Sequence, residues 1–208
     1  MTADTADTAD TGPPAGRRRG RRPAGEDTRA ALLDAARAVF VEQGFDGATV
    51  RAIAGRAGVD AAMVNHWFGG KEGLFAAAMQ IPVDPTVLVD EFLASGLDGL
   101  GERIVRRFLG VWDSTRGGAL IGVIRSVSSH EQSARMMREF ITKVLFGRLA
   151  RGLGIDQPDM RAALCGSQIV GLAMVRYVIR LEPLASADPD TLAEAIGPTL
   201  QRYLTEKL

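Results

Sequence analysis

The feature that most constrains this chain is a spacing inside residues 49–68, TVRAIAGRAGVDAAMVNHWF. Ala54, Gly58 and Val64 follow one another at intervals of four and six residues, between stretches that read as short helices. Two helices can cross at close range only under three conditions. The first must carry a small side chain at the crossing, the turn must accept a positive φ, and the second must supply an apolar plug. Ala54, Gly58 and Val64 meet these conditions in order, and Ile53, Ala57 and Val59 complete an apolar seam. By spacing alone, an ordinary helical hairpin fits as well as a helix-turn-helix.

The punctuation on either side predicts the surrounding elements. A first helix should begin at Asp27 or Thr28, whose side chains can cap free amides, with Leu32, Leu33, Ala36, Val39 and Phe40 on one face. Gly44 should end it. Thr49 is the expected N-cap of a second helix, VRAIAGRA, and Asp60 of a third that runs to about Trp67. Gly69 and Gly70 break that helix, and Lys71 opens a fourth, closed by Ile81-Pro82 and Asp84-Pro85. Beyond it, glycines and prolines divide the chain into helices expected near 86–95, 101–115, 117–128, 131–152, 158–181 and 189–206. No segment alternates with a period of two, so no sheet is expected. The predicted class is all-α: a three-helix helix-turn-helix domain over 26–81, then a roughly six-helix domain over 86–208. Residues 1–25, with three Thr-Ala-Asp repeats and the run RRRGRR, read as a disordered arm with a basic end.

Composition narrows the class further. Hydrophobic residues make up 46% and charged residues 24%, the balance of a globular protein able to build a core without disulfides. The single Cys165 reads as a small buried side chain, which suits a reducing cytoplasm. No uncharged apolar run reaches about 18 residues, so no membrane span is expected. The acidic N-terminus also lacks the basic start and apolar stretch of a secretory signal. The net charge of zero conceals an asymmetry: residues 17–80 carry ten basic against seven acidic side chains. That excess is a weak nucleic-acid footprint.

In a helix-turn-helix the second helix enters the major groove. Ala61, Ala62, Asn65 and His66 would then face base edges, where asparagine can pair with adenine and alanine can touch a thymine methyl. Thr49 would present a hydroxyl and nearby amides to a phosphate. Lys71 stands at a helix start, where the dipole disfavours a cation, so either a phosphate partner or plain solvent exposure would account for it. Phe68 suits the core face, which leaves Trp67 to donate its indole N–H to the DNA backbone. Arg19, Arg21 and Arg22 of the arm could track a minor groove, or simply form a basic tail. His66, His130 and Cys165 have no zinc-ligand spacing, and neither metal nor cofactor is expected.

Residues 32–75, LLDAARAVFVEQGFDGATVRAIAGRAGVDAAMVNHWFGGKEGLF, resemble the TetR family of bacterial regulators. The likeness rests on Gly44-Phe45, Thr49, the Ala54/Gly58/Val64 turn, the aromatic end of the third helix, Lys71-Glu72 and Leu74-Phe75. It implies an operator-binding homodimer paired through its last two helices, and a larger ligand-binding domain. It also implies phosphate contacts at Thr49 and Lys71 and a recognition helix carrying Ala61, Ala62, Asn65, His66 and Trp67. Asn65 and Trp67 depart from the family's usual tyrosines, so its operator preference does not transfer.

For the sensing half, Phe108, Trp112, Ile124, Met136, Met137 and Phe140 are candidate pocket residues, though methionines and aromatics at helical spacing also describe plain core. His130, Arg125 or Gln168 could orient a ligand, which the apolar faces suggest is itself apolar. Leu164, Ile169, Leu172, Val175 and Ile179, with Gly166, Gly171 and Ala173, are the candidate dimer face, unless they are buried within one subunit. A repressor released by its ligand is the expected mode. Corepression, activation and nonspecific architectural binding are the alternatives. No catalytic constellation is recognisable, so no enzymatic activity is expected. Deleting residues 1–25 should weaken DNA binding and lower its salt slope by about one unit for each arginine that neutralises a phosphate. Binding measured between low and moderate salt checks this, and an unaltered slope would leave the arm without a DNA function.

Overall fold

Helix α1 (Ala24–Gly47) turns Leu32, Ala36, Val39 and Phe40 to one side, and all four are buried. This is a computed structural model that describes residues 24–114 and 118–208; the arm with Arg19, Arg21 and Arg22 lies outside the described residues. The helix starts at Ala24 rather than at Asp27 or Thr28. Those two residues fall inside its first turns, where the helix dipole still favours a carboxylate. At Gly44 the backbone leaves helical geometry, with φ 70°.

Helix α2 (Val50–Ala57) is capped by Thr49, whose Oγ1 accepts the Ala52 N–H at 3.1 Å. Gly58 ends it at φ 69° and ψ 30°. A Cβ there would meet nothing within 4 Å, so the demand for glycine comes from the backbone angle and not from space. Asp60 Oδ1 accepts the Ala62 N–H at 2.7 Å and starts α3 (Ala62–Phe68), which is followed by α4 (Lys71–Ala78). Ile53, Ala54 and Val64 are buried at the α2–α3 crossing.

Asp84, with Pro85 behind it, caps α5 (Pro85–Ala94). Then come α6 (Leu100–Asp113), α7 (Gly118–Ser129) and α8 (Glu131–Glu139), which runs through a π-helical turn, Phe140–Leu145, into α9 (Phe146–Gly152). Helix α10 (Pro158–Ala173) likewise continues through a second π turn, Met174–Ile179, and α11 (Pro189–Thr205) is the last helix. The fold is all-α, with no strand among the described residues. The extents 131–152 and 158–179 match the expected helices, but the π turns carry no mark in the sequence. From Pro158 to Ile179 the chain is long and apolar enough to cross a membrane, by length and composition only, and it carries Asp159, Arg161 and Arg176. One side of it is packed into the protein: Ala162, Cys165, Leu172 and Tyr177 are buried, and Arg161 is held by Asp156 and the Tyr203 carbonyl. Burial pushes the Cys165 thiol up to about 12, which makes it unreactive near neutrality.

The hydrophobic core does not stop at the boundary between the first four helices and the rest. One cluster joins Phe40, Leu74 and Phe75 to Trp112, Met136, Phe140 and Tyr177, and a second joins α5, α6, α9, α10 and α11. A polar seam runs beside the first cluster. Glu139 Oε2 accepts the Phe45 N–H at 2.8 Å, Lys143 pairs with Asp46, and Arg135 donates to the Val41 carbonyl. The C-terminal end of α1 is thus held by α8 and the first π turn.

Helices α6 and α11 touch backbone to backbone. A Cβ at Gly101 would overlap the Gly197 carbonyl and lie 2.6 Å from the Gln201 nitrogen. Gly101→Ala should therefore cost about 3 kcal/mol, which lowers the melting temperature by about 6–12 °C; thermal unfolding by circular dichroism checks it, and an unchanged transition would refute the close packing. Glu139→Ala should leave the half-buried Phe45 N–H without an acceptor and destabilise the fold by about 1–3 kcal/mol. Glu139→Gln, which keeps an accepting oxygen, should cost less. Hydrogen exchange at the Phe45 amide distinguishes the two variants.

Candidate functional site

The outer side of α3 is a compact polar and aromatic surface. Ala62, Asn65, His66 and Trp67 are exposed, while Val64 and Phe68 on the opposite side are buried. Ala61 is half-buried against the core, so it offers less surface than Ala62. The Asn65 amide makes no hydrogen bond among the described residues and is available to a ligand. His66 stacks edge-on against Trp67 with ring centroids 4.9 Å apart, which restricts both rings. The neighbouring cation Arg56 is turned away, to Glu42 at 2.7 Å, whereas Arg51 stays exposed on α2.

Thr49 spends its oxygen lone pair on the α2 cap and keeps its hydroxyl proton for an acceptor. Lys71 has a cause for its placement within the fold. Its ammonium lies 4.5 Å from the centre of the Phe45 ring, a cation–π contact, so no phosphate is needed to explain a lysine there. Phe45 in turn meets Phe75 and Phe40, and this links the lysine to the core.

The second site is a cavity of about 210 Å³ among α5 to α10. Phe108, Trp112, Ile124, Met137 and Phe140 line it, as the sequence suggested. Met136 does not: one residue before Met137 it points about 100° away and packs into the core cluster that contains α1. Gln168 does not line it either, because Ile169 takes the inward position, and neither Arg125 nor His130 reaches it. The polar side chains found at its wall are Arg107 and Ser128, which sequence reasoning missed. Arg107 stands three residues after Ile104 and four before Val111, both wall residues, and that spacing was the available signal. Ile81 and Val83, on the link out of α4, also reach the cavity.

The candidate dimer face needs correction. Leu172 and Ala173 are buried in the protomer and Ile169 lines the cavity, so none of them can meet a partner. Gly166 is buried against Ile141. Leu164 and Val175 are half-buried, and Ile179 alone of the five candidate residues is fully exposed. The exposed side of α10 and its π turn carries Met160, Ala163, Ser167, Gly171, Val178 and Ile179, while Val170, also exposed, borders the cavity.

Comparison with known proteins gives the family. The family described as bacterial regulatory proteins, tetR family, matches residues 32–78, and the tetracyclin repressor-like C-terminal domain matches residues 98–204, over half of the chain. The HTH-type transcriptional regulator BetI of Burkholderia ambifaria is 25% identical over 167 residues, covering 69% of this chain and 86% of that one. BetI of Burkholderia thailandensis is 28% identical over 152 residues, covering 71% and 78%. A TetR-family regulator from Streptomyces coelicolor A3 is 42% identical, covering 90% of this chain and 99% of that one, with a TM-score of 0.42. Matched by the family in both its N-terminal and C-terminal parts, the chain belongs to the TetR family and is a DNA-binding transcriptional regulator, not an enzyme.

Proposed function

We propose that the protein binds operator DNA as a homodimer through α3 and is released when a small molecule with a largely apolar body fills the cavity. The observation that carries this reading is the double role of the first π turn. Phe140, Ile141 and Leu145 form part of the cavity wall, while Lys143 and the adjoining Glu139 grip the end of α1. A ligand that pushes this wall outward therefore acts on the α1 seam, and α1 packs against α2 and α4. Ile81 and Val83 offer a second mechanical link from the cavity to α4. The ligand prefers one arrangement of the two recognition helices and DNA the other, so each weakens the other's binding by about 5–150-fold.

In the DNA complex, Ala62 and Asn65 face base edges, with Trp67, Thr49 and the partly available Lys71 at the sugar-phosphate backbone. Ala61 and His66 flank them. One short helix reads only a few bases, so two copies about 34–36 Å apart are required. The outward side of α10 and its π turn, with Met160, Ala163, Gly171, Val178 and Ile179, offers the partner exposed apolar and small residues. Together with α11 it is the dimer face we assign. Repression with release is the mode proposed, and the effect of ligand on DNA affinity fixes its sign.

Asn65→Ala should change base preference at one position of each half-site by about 1–3 kcal/mol, without moving the melting temperature. Competition gel shifts with single-base operator variants check this. An unchanged preference would remove Asn65 from the base-reading set, and equal competition by random duplex would overturn sequence-specific binding.

A further inference from the structure

We infer that the effector is an amphiphile with a single anionic headgroup, a carboxylate or a phosphate, held by Arg107 at the cavity mouth while its apolar body lies inside. The inference rests on reading the cavity as the effector site. Among the described residues Arg107 is the one charged residue on the cavity wall, and no described carboxylate lines that wall to neutralise it. Three arginines stand close together on α6, and two of them are committed. Arg103 bonds the Gly96 and Asp98 carbonyls, and Arg106 pairs with Glu102 and with Asp190 at 2.7 Å. Arg107 makes no hydrogen bond or ion pair among the described residues. It is exposed, so its stem can lie along the apolar wall while the guanidinium reaches water at the opening.

The rest of the wall offers little to other headgroups. Ser128 is the other small polar side chain there, and its hydroxyl donates to the Ile124 carbonyl at 2.9 Å, which leaves it no proton for a ligand. Phe108, Trp112 and Phe140 could in principle face a quaternary ammonium, but a cation would have to sit beside an unpaired arginine with no acid nearby. A planar guanidinium with two parallel N–H donors matches a carboxylate or phosphate in a bidentate pair. The aliphatic and aromatic wall, with Ile104, Ile124, Leu145 and Phe140 among its residues, suits an apolar body such as an alkyl chain.

Isothermal titration of the full-length protein with decanoate, decyl phosphate, decanol and decyltrimethylammonium, each below its micellar concentration, tests this. Decanoate or decyl phosphate should bind about tenfold more tightly than decanol, and which of the two binds tighter identifies the headgroup. Octanoate should bind about fifteenfold more weakly than decanoate. Arg107→Gln, at an exposed position, should bring the anions to the level of decanol and leave decanol unchanged. Ile124→Trp, which fills the cavity, should abolish binding of every chain. Equal affinity of decanol and the anions, or tightest binding by the ammonium, would overturn the anionic headgroup while leaving the cavity as the effector site. Failure of all four chains to bind, or binding untouched by Ile124→Trp, would overturn both.

Discussion

One hydrogen bond stands where the two halves of this regulator meet: the Glu139 carboxylate accepts the Phe45 N–H at 2.8 Å, just past the break in α1 at Gly44. A helix end leaves backbone groups without partners, and here a side chain from α8 supplies one of them. The same segment carries Lys143 to Asp46, and Phe140 into the core shared with Phe40 and Phe75. The first four helices therefore have no wholly separate core. Whatever shifts the first π turn also shifts the base on which α2 and α3 rest.

That dependence follows from size. Helices α2, α3 and α4 have eight, seven and eight residues, too short to persist alone in water. Their geometry is set by the Thr49 cap, the Gly58 turn and the burial of Ile53, Val64 and Phe75 in the core they share with α1. A recognition surface built on such short elements is oriented by its support. Docking α1 onto the cavity wall would give the proposed effector a direct physical route to the DNA-binding helices.

The parts of this architecture legible in the sequence are those fixed by local chemistry. Thr49, Gly58 and the Gly69-Gly70 pair marked α2 and α3 to within a residue or so, because caps and positive-φ turns demand particular residue types. The exposure of Asn65 and Trp67 beside a buried Phe68 followed from the same phase. The parts that stayed hidden depend on which element lies opposite. Helix α10 is apolar nearly all round, so Leu172 and Ile169 could not be told from partner-facing residues until the core and the cavity had claimed them. Met136 and Met137 differ only by the turn between successive positions. A π turn changes hydrogen bonding without changing composition, and after Met174 it alters the phase that a regular helix would give Ile179. Arg107 went unread because one of three arginines on an amphipathic helix resembles any solvated helix residue until the partners of each are known.

The central claim is that α3, presented twice by a dimer, reads a defined duplex sequence. Selection of bound duplexes from a random pool by the purified full-length protein tests it most directly. The account predicts enrichment of a palindromic motif whose half-sites lie about one helical turn apart, near 34–36 Å, and loss of that enrichment when Asn65 and His66 are both replaced by alanine. A bound pool with no enriched motif at moderate salt, or a motif indifferent to those replacements, would contradict it.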